Sequence, residues 1–248
     1  MSAKRPKRAM VMAAGRGTRM RPLTDDRCKA LVEVAGRPLI DWTLDKLDAA
    51  GVEEAVVNVH HFADRLETHL QARRRGPRIL ISDEREGLLD TGGGLVKAAP
   101  SLGQDPVFVA NIDALWIDEG EAELDRLARG FDPDLMDFRL LLSPIGQNLG
   151  FPGAGDFHLE ADGRVARRGQ GSGPLHAYAG VQVMHPRVLQ GQPQEAFSTN
   201  RLWDGALEKG RVFGTPMQAF WMHVGDPQAR DEAQNRLGLI RNDISGPV

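Results

Sequence analysis

The chain has 248 residues, with 31 Lys and Arg against 34 Asp and Glu, a net charge of −3 and an isoelectric point near 6.2. That balance offers no broad basic field of the kind nucleic-acid binding uses, and no apolar run approaches membrane-spanning length, so neither nucleic acid nor membrane is expected as a partner. One cysteine permits no internal disulfide, which fits a reducing cytoplasm, and the length suits a single α/β domain over residues 1–248.

The basic start over residues 1–8, containing Lys4-Arg5-Pro6-Lys7-Arg8, reads as a solvated tail, because the apolar run Ala9 to Met12 enters a glycine loop where a signal peptide would continue apolar. The loop runs Ala13-Ala14-Gly15-Arg16-Gly17-Thr18-Arg19-Met20 and ends in Arg21-Pro22-Leu23-Thr24. Glycines directly after a strand let the backbone approach a ligand, and the exposed N–H groups suit phosphate oxygens. Arg16, Arg19, Arg21 and Lys29 supply positive charge, and Gly17 is expected to leave room where a polyphosphate passes. The spacing fits neither the P-loop nor the dinucleotide fingerprint, which wants a third glycine where Met20 stands.

Strand-like and helix-like stretches then alternate as in β-α-β units. Pro38 opens a helix with Ile40, Leu44 and Leu47 on one face, stopped by Gly51; Ala55 to Val59 is a buried strand. A helix with Phe62, Leu66 and Leu70 in register leads to the strand Arg78 to Ser82 and the loop Asp83 to Gly94. The strand Pro106 to Ala110 presents Asn111 and Asp113 at its carboxyl end, where ligands collect in open α/β sheets. Asp113 would suit Mg²⁺ as a hard oxygen ligand.

Beyond the strand-like run Phe138 to Ser143, Asp162-Gly163 signals a hairpin, and residues 148–168 are expected as an insertion that covers the site and shapes the acceptor pocket. Leu175 to Met184 reads as a long strand, and Leu202 to Gly210 and Pro227 to Leu239 as helices. Cys28 lies beside Lys29, a cation of the kind that lowers a thiol's pKa, but reads as incidental; His60-His61 point to opposite faces of an extended chain and read as structural. Trp116 and Trp203 are candidates for lining a sugar pocket, whereas Phe220 and Trp221 read as core.

Taken together, these segments resemble the sugar-1-phosphate nucleotidylyltransferases, whose first strand enters a G-x-G-T-R-x-x-P-L-T loop followed by a lysine. Asp90-Thr91-Gly92-Gly93-Gly94 is similar to the glycine-rich turn that receives base and ribose in the branch acting on N-acetylmuramate 1-phosphate, and Asn111-Ile112-Asp113-Ala114-Leu115-Trp116 to that branch's N-G-D-x-x-W metal segment. The likeness continues through Asn148, Gly155-Asp156-Phe157 and Tyr178-Ala179-Gly180 to His223-Val224-Gly225-Asp226-Pro227, where the family usually reads D-V-G-T-P.

The resemblance implies an α/β fold, Rossmann-like, with a mixed, mostly parallel sheet flanked by helices. It implies transfer of a nucleoside monophosphate from a nucleoside triphosphate, UTP favoured, onto a hexose 1-phosphate, releasing pyrophosphate with Mg²⁺, or Mn²⁺, as cofactor. The preferred product is UDP-N-acetylmuramate for cell-wall recycling. A mannose-1-phosphate guanylyltransferase and a non-catalytic sugar-nucleotide sensor are the alternatives, the latter motivated by Ile112 and His223. Monomer and homodimer both remain open.

By the same resemblance Arg19, Lys29 and Asp113 are catalytic. Ala13, Ala14, Gly15, Arg16, Gly17 and Thr18 join Arg19, Lys29, Asp90, Thr91, Gly92 and Gly93 in holding the nucleotide, although Asp90 is equally read as a helix cap. Asn111, Asn148, Asp156, Tyr178, Gly180 and His223 hold the sugar phosphate, and Asp113 with His223 holds the metal. His223 is preferred as a hydrogen-bond donor or water-mediated ligand near the acceptor phosphate, and Asp226 as a helix cap. A muramate's lactyl carboxylate would want a cation, for which Arg167, Arg168 and Arg201 are candidates.

Overall fold

The computed structural model describes residues 5–244. Its first half follows from apolar runs separated by amphipathic helices, which pair as parallel strands because each helix carries the chain back to the same edge. β1 (Arg8–Met12) precedes the glycine loop, and β2 (Glu33–Val34) and β3 (Arg37–Pro38) form a small hairpin. Then come α1 (Leu39–Ala49), β4 (Glu54–Val59), α2 (Ala63–Ala72), β5 (Arg78–Asp83), α3 (Asp90–Leu102) and β6 (Val107–Asn111). β4 pairs with one side of β1, β6 with the other, and β5 extends beyond β4, all in parallel. The order β5-β4-β1-β6 therefore reverses direction at β1, and the carboxyl ends of β1 and β6 open a crevice between them.

The second half continues with β7 (Ala114–Trp116), α4 (Glu123–Arg129), β8 (Phe138–Pro144), β9 (Asn148–Leu149), β10 (Phe157–Leu159), β11 (Val165–Arg167) and β12 (Leu175–Met184). It closes with α5 (Asn200–Leu207), β13 (Val212–Pro216), β14 (Trp221–His223) and α6 (Pro227–Ile244). β12 lies antiparallel to both β6 and β8, β13 joins β8 in parallel, and β10 with β11 completes a nine-stranded mixed sheet. A separate sheet, β7-β14-β9, sets His223 opposite Ala114 and so beside Asp113.

Apolar side chains cover both faces of the main sheet. Val11, Val57 and Phe108 pack with Ile40, Leu44 and Leu47 of α1 and Leu66 of α2, while Met10, Val56 and Val109 pack with Leu95 of α3 and Trp203 of α5. Each such fully buried aliphatic contributes about 1.5–3 kcal/mol, so the central strands form a rigid base for the crevice.

Three sequence expectations change. Residues 90–94 do not form a turn but the first turns of α3, whose glycines are there for packing: a Cβ on Gly92 would meet the ring of Phe197, and one on Gly93 the carbonyl of Glu195. Residues 148–168 are divided, β9 entering the small sheet and the β10–β11 hairpin forming an edge of the large one around Gly163 at φ 84°. The basic start is tied down from Arg5, which pairs with Asp125, while Lys7 and Arg8 pair with Glu53 and Glu54; residues 1–4 lie outside the described residues.

Candidate active site

The glycine loop is held from beneath by a buried polar network. Asn58 on β4 accepts hydrogen bonds from the amides of Ala13 and Ala14 at 2.6 and 3.2 Å, and donates to Glu84 at 2.8 Å. Glu84, fully buried, in turn accepts from the amide of Leu89 at 3.1 Å. An asparagine within a buried strand is costly unless every polar atom is bonded, and here that requirement fixes the loop's take-off angle. The amides of Ala13 and Ala14 are therefore engaged by Asn58 and are not free to bind a phosphate.

Gly17 adopts φ 62°, and its carbonyl accepts from the Thr24 hydroxyl at 2.9 Å. A Cβ there would sit 3.0 Å from Lys29 Cβ and 3.1 Å from Thr24 Cγ2, facing the protein and not the ligand space. Gly15, by contrast, has open space around it. Both glycines border the ligand space, but only Gly15 has room for a side chain, because a carbon added at Gly17 meets the protein.

These groups border a cavity of about 300 Å³ walled by Gly15, Gly17, Thr18, Arg19, Lys29, Asp113 and Gly225. Arg16 is not on that wall, and Arg21 turns to Asp25 at 3.6 Å. Lys29 Nζ donates to Asp113 Oδ2 at 2.6 Å, and both side chains are largely buried. Burial alone would raise the Asp113 pKa; the Lys29 charge and His223 outweigh it and hold the carboxyl well below the usual carboxylate range. The stabilisation from this depressed pKa is thus complete above pH 4 or so and lost only as pH falls further.

His223 Nδ1 lies 3.1 Å from the Gly150 carbonyl, an acceptor only, and Nε2 lies 3.5 Å from Asp113 Oδ2; a protonated ring donates to both and helps hold the Asp113 carboxyl down, while a neutral ring turns an Nε2 lone pair toward that oxygen. Two lone-pair groups facing one another fit a shared divalent cation. Among the described residues no cluster of three or more His, Cys, Asp or Glu could hold a metal, so the remaining positions would fall to phosphate oxygens and water. Asp226 Oδ1 accepts from the Ala229 amide at 2.8 Å and caps α6.

A second cavity, of about 320 Å³, adjoins the first through Met12, Asp90, Thr91 and Asn111. Asp156, Phe157, Tyr178, Gln182, Arg167 and Trp203 also line it. Asp156 Oδ2 accepts from the Tyr178 amide at 2.9 Å; burial first, then the Asp113 charge, pushes the Tyr178 hydroxyl well above its usual pKa, keeping it a neutral donor. Asp90, at φ 58°, accepts from the Thr91 amide at 2.6 Å and borders both cavities.

Several expected contacts lie elsewhere. The amides of Gly92 and Gly93 donate to the Phe197 carbonyl, so these glycines bind protein and not base. Asn148 lines neither cavity and donates to the Pro144 carbonyl at 3.4 Å. Gly180, at φ 82°, lets β12 approach Ala114 and Asn111. Trp116 is buried against Asp118, whereas Trp203 does face the second cavity. Of the three arginine candidates, only Arg167 lines that cavity; Arg201 pairs with Glu195, and Arg168 is exposed. His60 bonds the Glu84 carbonyl at 2.7 Å, and buried Cys28 has its thiol pKa raised by burial, against the lowering its lysine neighbour suggested.

A phosphate loop, a paired lysine and carboxylate, and an adjoining cavity suited to a sugar, all at the switch point of an α/β sheet, define a nucleotidyltransferase acting on a phosphorylated acceptor. The chain belongs to the MobA-like NTP transferase domain family, whose model matches residues 9–134, and within it to the sugar-1-phosphate nucleotidylyltransferases. It is 52% identical to the N-acetylmuramate alpha-1-phosphate uridylyltransferase of Caulobacter vibrioides, covering 94% of this chain and 97% of that protein. The like-named enzyme of Neisseria meningitidis serogroup B is 35% identical, over 93% and 98%. In fold it is similar to an apo UDP-glucose pyrophosphorylase, with a TM-score of 0.79 at 14% identity, covering 95% and 99%. The α/β expectation with a mixed, mostly parallel sheet holds, and the non-catalytic sensor is set aside. Among the described residues no helix is long and apolar enough to cross a membrane.

Proposed function

We propose that the enzyme joins UTP to N-acetylmuramate 1-phosphate, giving UDP-N-acetylmuramate and pyrophosphate in the cytoplasm as a step of cell-wall recycling. The observation that carries this reading is the 52% identity, over nearly the full length of both chains, to a relative named for that transfer. The second cavity supports it, since Arg167 provides a guanidinium for the lactyl carboxylate that distinguishes a muramate from other hexosamines.

An oxygen of the sugar phosphate attacks the α-phosphorus of the triphosphate, and the bond to the bridging oxygen breaks as pyrophosphate leaves. The nucleophile is already an anion, so alignment and charge neutralisation are the protein's tasks. The loop from Gly15 to Arg19 receives the polyphosphate, and Lys29 donates to the oxygens on which charge builds. Asn111, shared by both cavities, lies where donor and acceptor meet. Asp113 and His223 would hold Mg²⁺, or Mn²⁺ in its place, and the ion would offset phosphate charge when bound. The nitrogen ligand favours Mn²⁺ over Mg²⁺ more than a second carboxylate would. One chain walls both cavities, so monomer and homodimer serve the reaction equally.

Pyrophosphate release from a panel of triphosphates crossed with sugar 1-phosphates tests the assignment. The expected result is highest kcat/KM with UTP and N-acetylmuramate 1-phosphate. Highest kcat/KM with GTP and mannose 1-phosphate would overturn it.

A further inference from the structure

Gln182 is a polar residue in the middle of a buried strand, flanked by Val181 and Val183 and only 1% exposed. Half of its amide is accounted for, because Oε1 accepts a hydrogen bond from the Trp203 indole N–H at 2.8 Å. An indole nitrogen only donates, so this contact decides which way round the amide lies and leaves Nε2 on the other side. Gln182 lines the second cavity, and no described residue accepts from its Nε2, which is reached from the cavity and not sealed in the core. The cavity combines an aromatic and aliphatic part, Val109, Phe157, Tyr178 and Trp203, with polar residues that include Asn111, Asp156 and Arg167; Trp203 lies edge-on to both Phe157 and Tyr178 at 5.6 and 4.9 Å.

An oriented amide donor with no protein partner at the wall of a cavity is left to whatever enters that cavity, and a ligand that brings an acceptor there replaces water. The complement is a carbonyl oxygen carried next to a small apolar group, which an aromatic wall accepts. A sugar hydroxyl would satisfy the donor but leave the apolar wall unfilled, and an ammonium group would set cation against donor. From this juxtaposition of the fixed Nε2 donor and the aromatic wall we infer that Gln182, oriented by Trp203, reads the acetamido carbonyl of the acceptor, making 2-acetamido sugars the acceptor class. The inference rests on the assignment of the second cavity to the sugar phosphate, and it adds the group that is read and the residue that reads it. Trp203 acts through Gln182 as a positioning residue.

The test compares acceptors that differ only at C2: N-acetylglucosamine 1-phosphate, glucosamine 1-phosphate and glucose 1-phosphate, with N-acetylmuramate 1-phosphate alongside. Wild-type enzyme should prefer the acetamido sugar. In Gln182→Glu the oxygen that replaces Nε2 accepts where the amide donated, so the kcat/KM ratio of acetamido over hydroxyl acceptor should fall roughly ten- to a hundredfold. The amino sugar should gain relative to both. Gln182→Leu should reduce the ratio similarly, and Trp203→Phe should reduce it less, by freeing the amide to turn over. Thermal melts identify variants that lose the fold, and the Glu variant preserves the side chain's shape.

If wild type uses N-acetylmuramate 1-phosphate but the Gln182 variants leave the ratio unchanged, or lower turnover of all acceptors alike, Gln182 is structural and this inference fails while the proposed function stands. If wild type rejects every acetamido sugar in favour of another hexose 1-phosphate, both fail.

Discussion

The two cavities share Met12, Asp90, Thr91 and Asn111, yet they are built by opposite means. The first takes its charged groups from one stretch, Gly15 to Lys29, met by Asp113 just past the end of the neighbouring parallel strand, and its chemistry is charge. The second draws on β6, the β10–β11 hairpin, β12 and α5, residues as far apart as Val109 and Trp203, and its chemistry is shape, one oriented amide and the Arg167 guanidinium. Groups that neutralise phosphate serve any acceptor, whereas groups that read a sugar substituent serve one class. Substitutions in the first cavity should therefore lower turnover for all acceptors, and substitutions in the second should change which acceptor is used.

Lys29→Ala gives the largest expected effect. Loss of a charged donor aimed at the reacting phosphate should reduce kcat roughly a hundred- to a thousandfold, equally for every acceptor. Burial of Asp113 would then be opposed mainly by His223, so its pKa rises and the residual activity falls off at a higher pH on the acid side. Single-turnover rates from pH 5 to 8 measure both. A loss confined to one acceptor would break the division between the cavities.

Next in size is Asn58→Leu. It removes the acceptor of two loop amides and strands Glu84 in the core, at a cost of about 2–4 kcal/mol, with KM for UTP rising about tenfold as the loop loosens. Urea melts and UTP titration separate the two effects. Unchanged stability would mean that the loop holds itself.

Gly17→Val sharpens the same point on a smaller scale. At φ 62°, with Lys29 Cβ and Thr24 Cγ2 already within 3.1 Å of the added carbon, the variant should lose about 1–3 kcal/mol and displace Lys29. Gly15→Ala, in open space, should leave stability unchanged and weaken triphosphate binding directly. Calorimetry of both variants decides which glycine the ligand passes; weakened UTP binding in a fully stable Gly17→Val would reverse the assignment.

The contrast between the cavities also explains what the sequence made legible. A phosphate loop is contiguous, so its glycines, threonine, arginines and lysine announce themselves by spacing, and the strand ending at Asn111 announces Asp113. Asn58 and Gln182 carry a weaker signal: each interrupts an apolar strand run, Ala55 to Val59 and Val181 to Val183, and a buried polar side chain must have a reason. The packing of Gly92 and Gly93 is not legible in sequence, because the chain that presses on them, residues 195–197, lies about a hundred positions away. At Cys28 the lysine neighbour is visible in sequence and the burial that raises the thiol's pKa is not, although the reading of the thiol as incidental agrees with that burial.

Arg167 sets the finest test. Its guanidinium lies over Phe157 and Trp203, with Nε and Nη2 tied to Asp204 at 3.0 and 2.7 Å, and no described residue accepts from Nη1. That arrangement holds one edge of the planar group steady and leaves the other for a carboxylate in the second cavity. Arg167→Gln should raise KM for N-acetylmuramate 1-phosphate about tenfold, with a much smaller change for N-acetylglucosamine 1-phosphate, which lacks the lactyl group. Because Asp204 is well exposed, loss of the ion pair should cost less than about 1 kcal/mol, so a drop in affinity cannot be put down to unfolding. Arg201→Gln and Arg168→Gln, whose side chains lie off the cavity, should change KM by less than about twofold, within the few tenths of a kcal/mol typical of surface substitutions. Steady-state kinetics with the two acceptors reads all three variants together. An effect at Arg201 equal to that at Arg167 would move the carboxylate out of the second cavity and onto the surface beside α5.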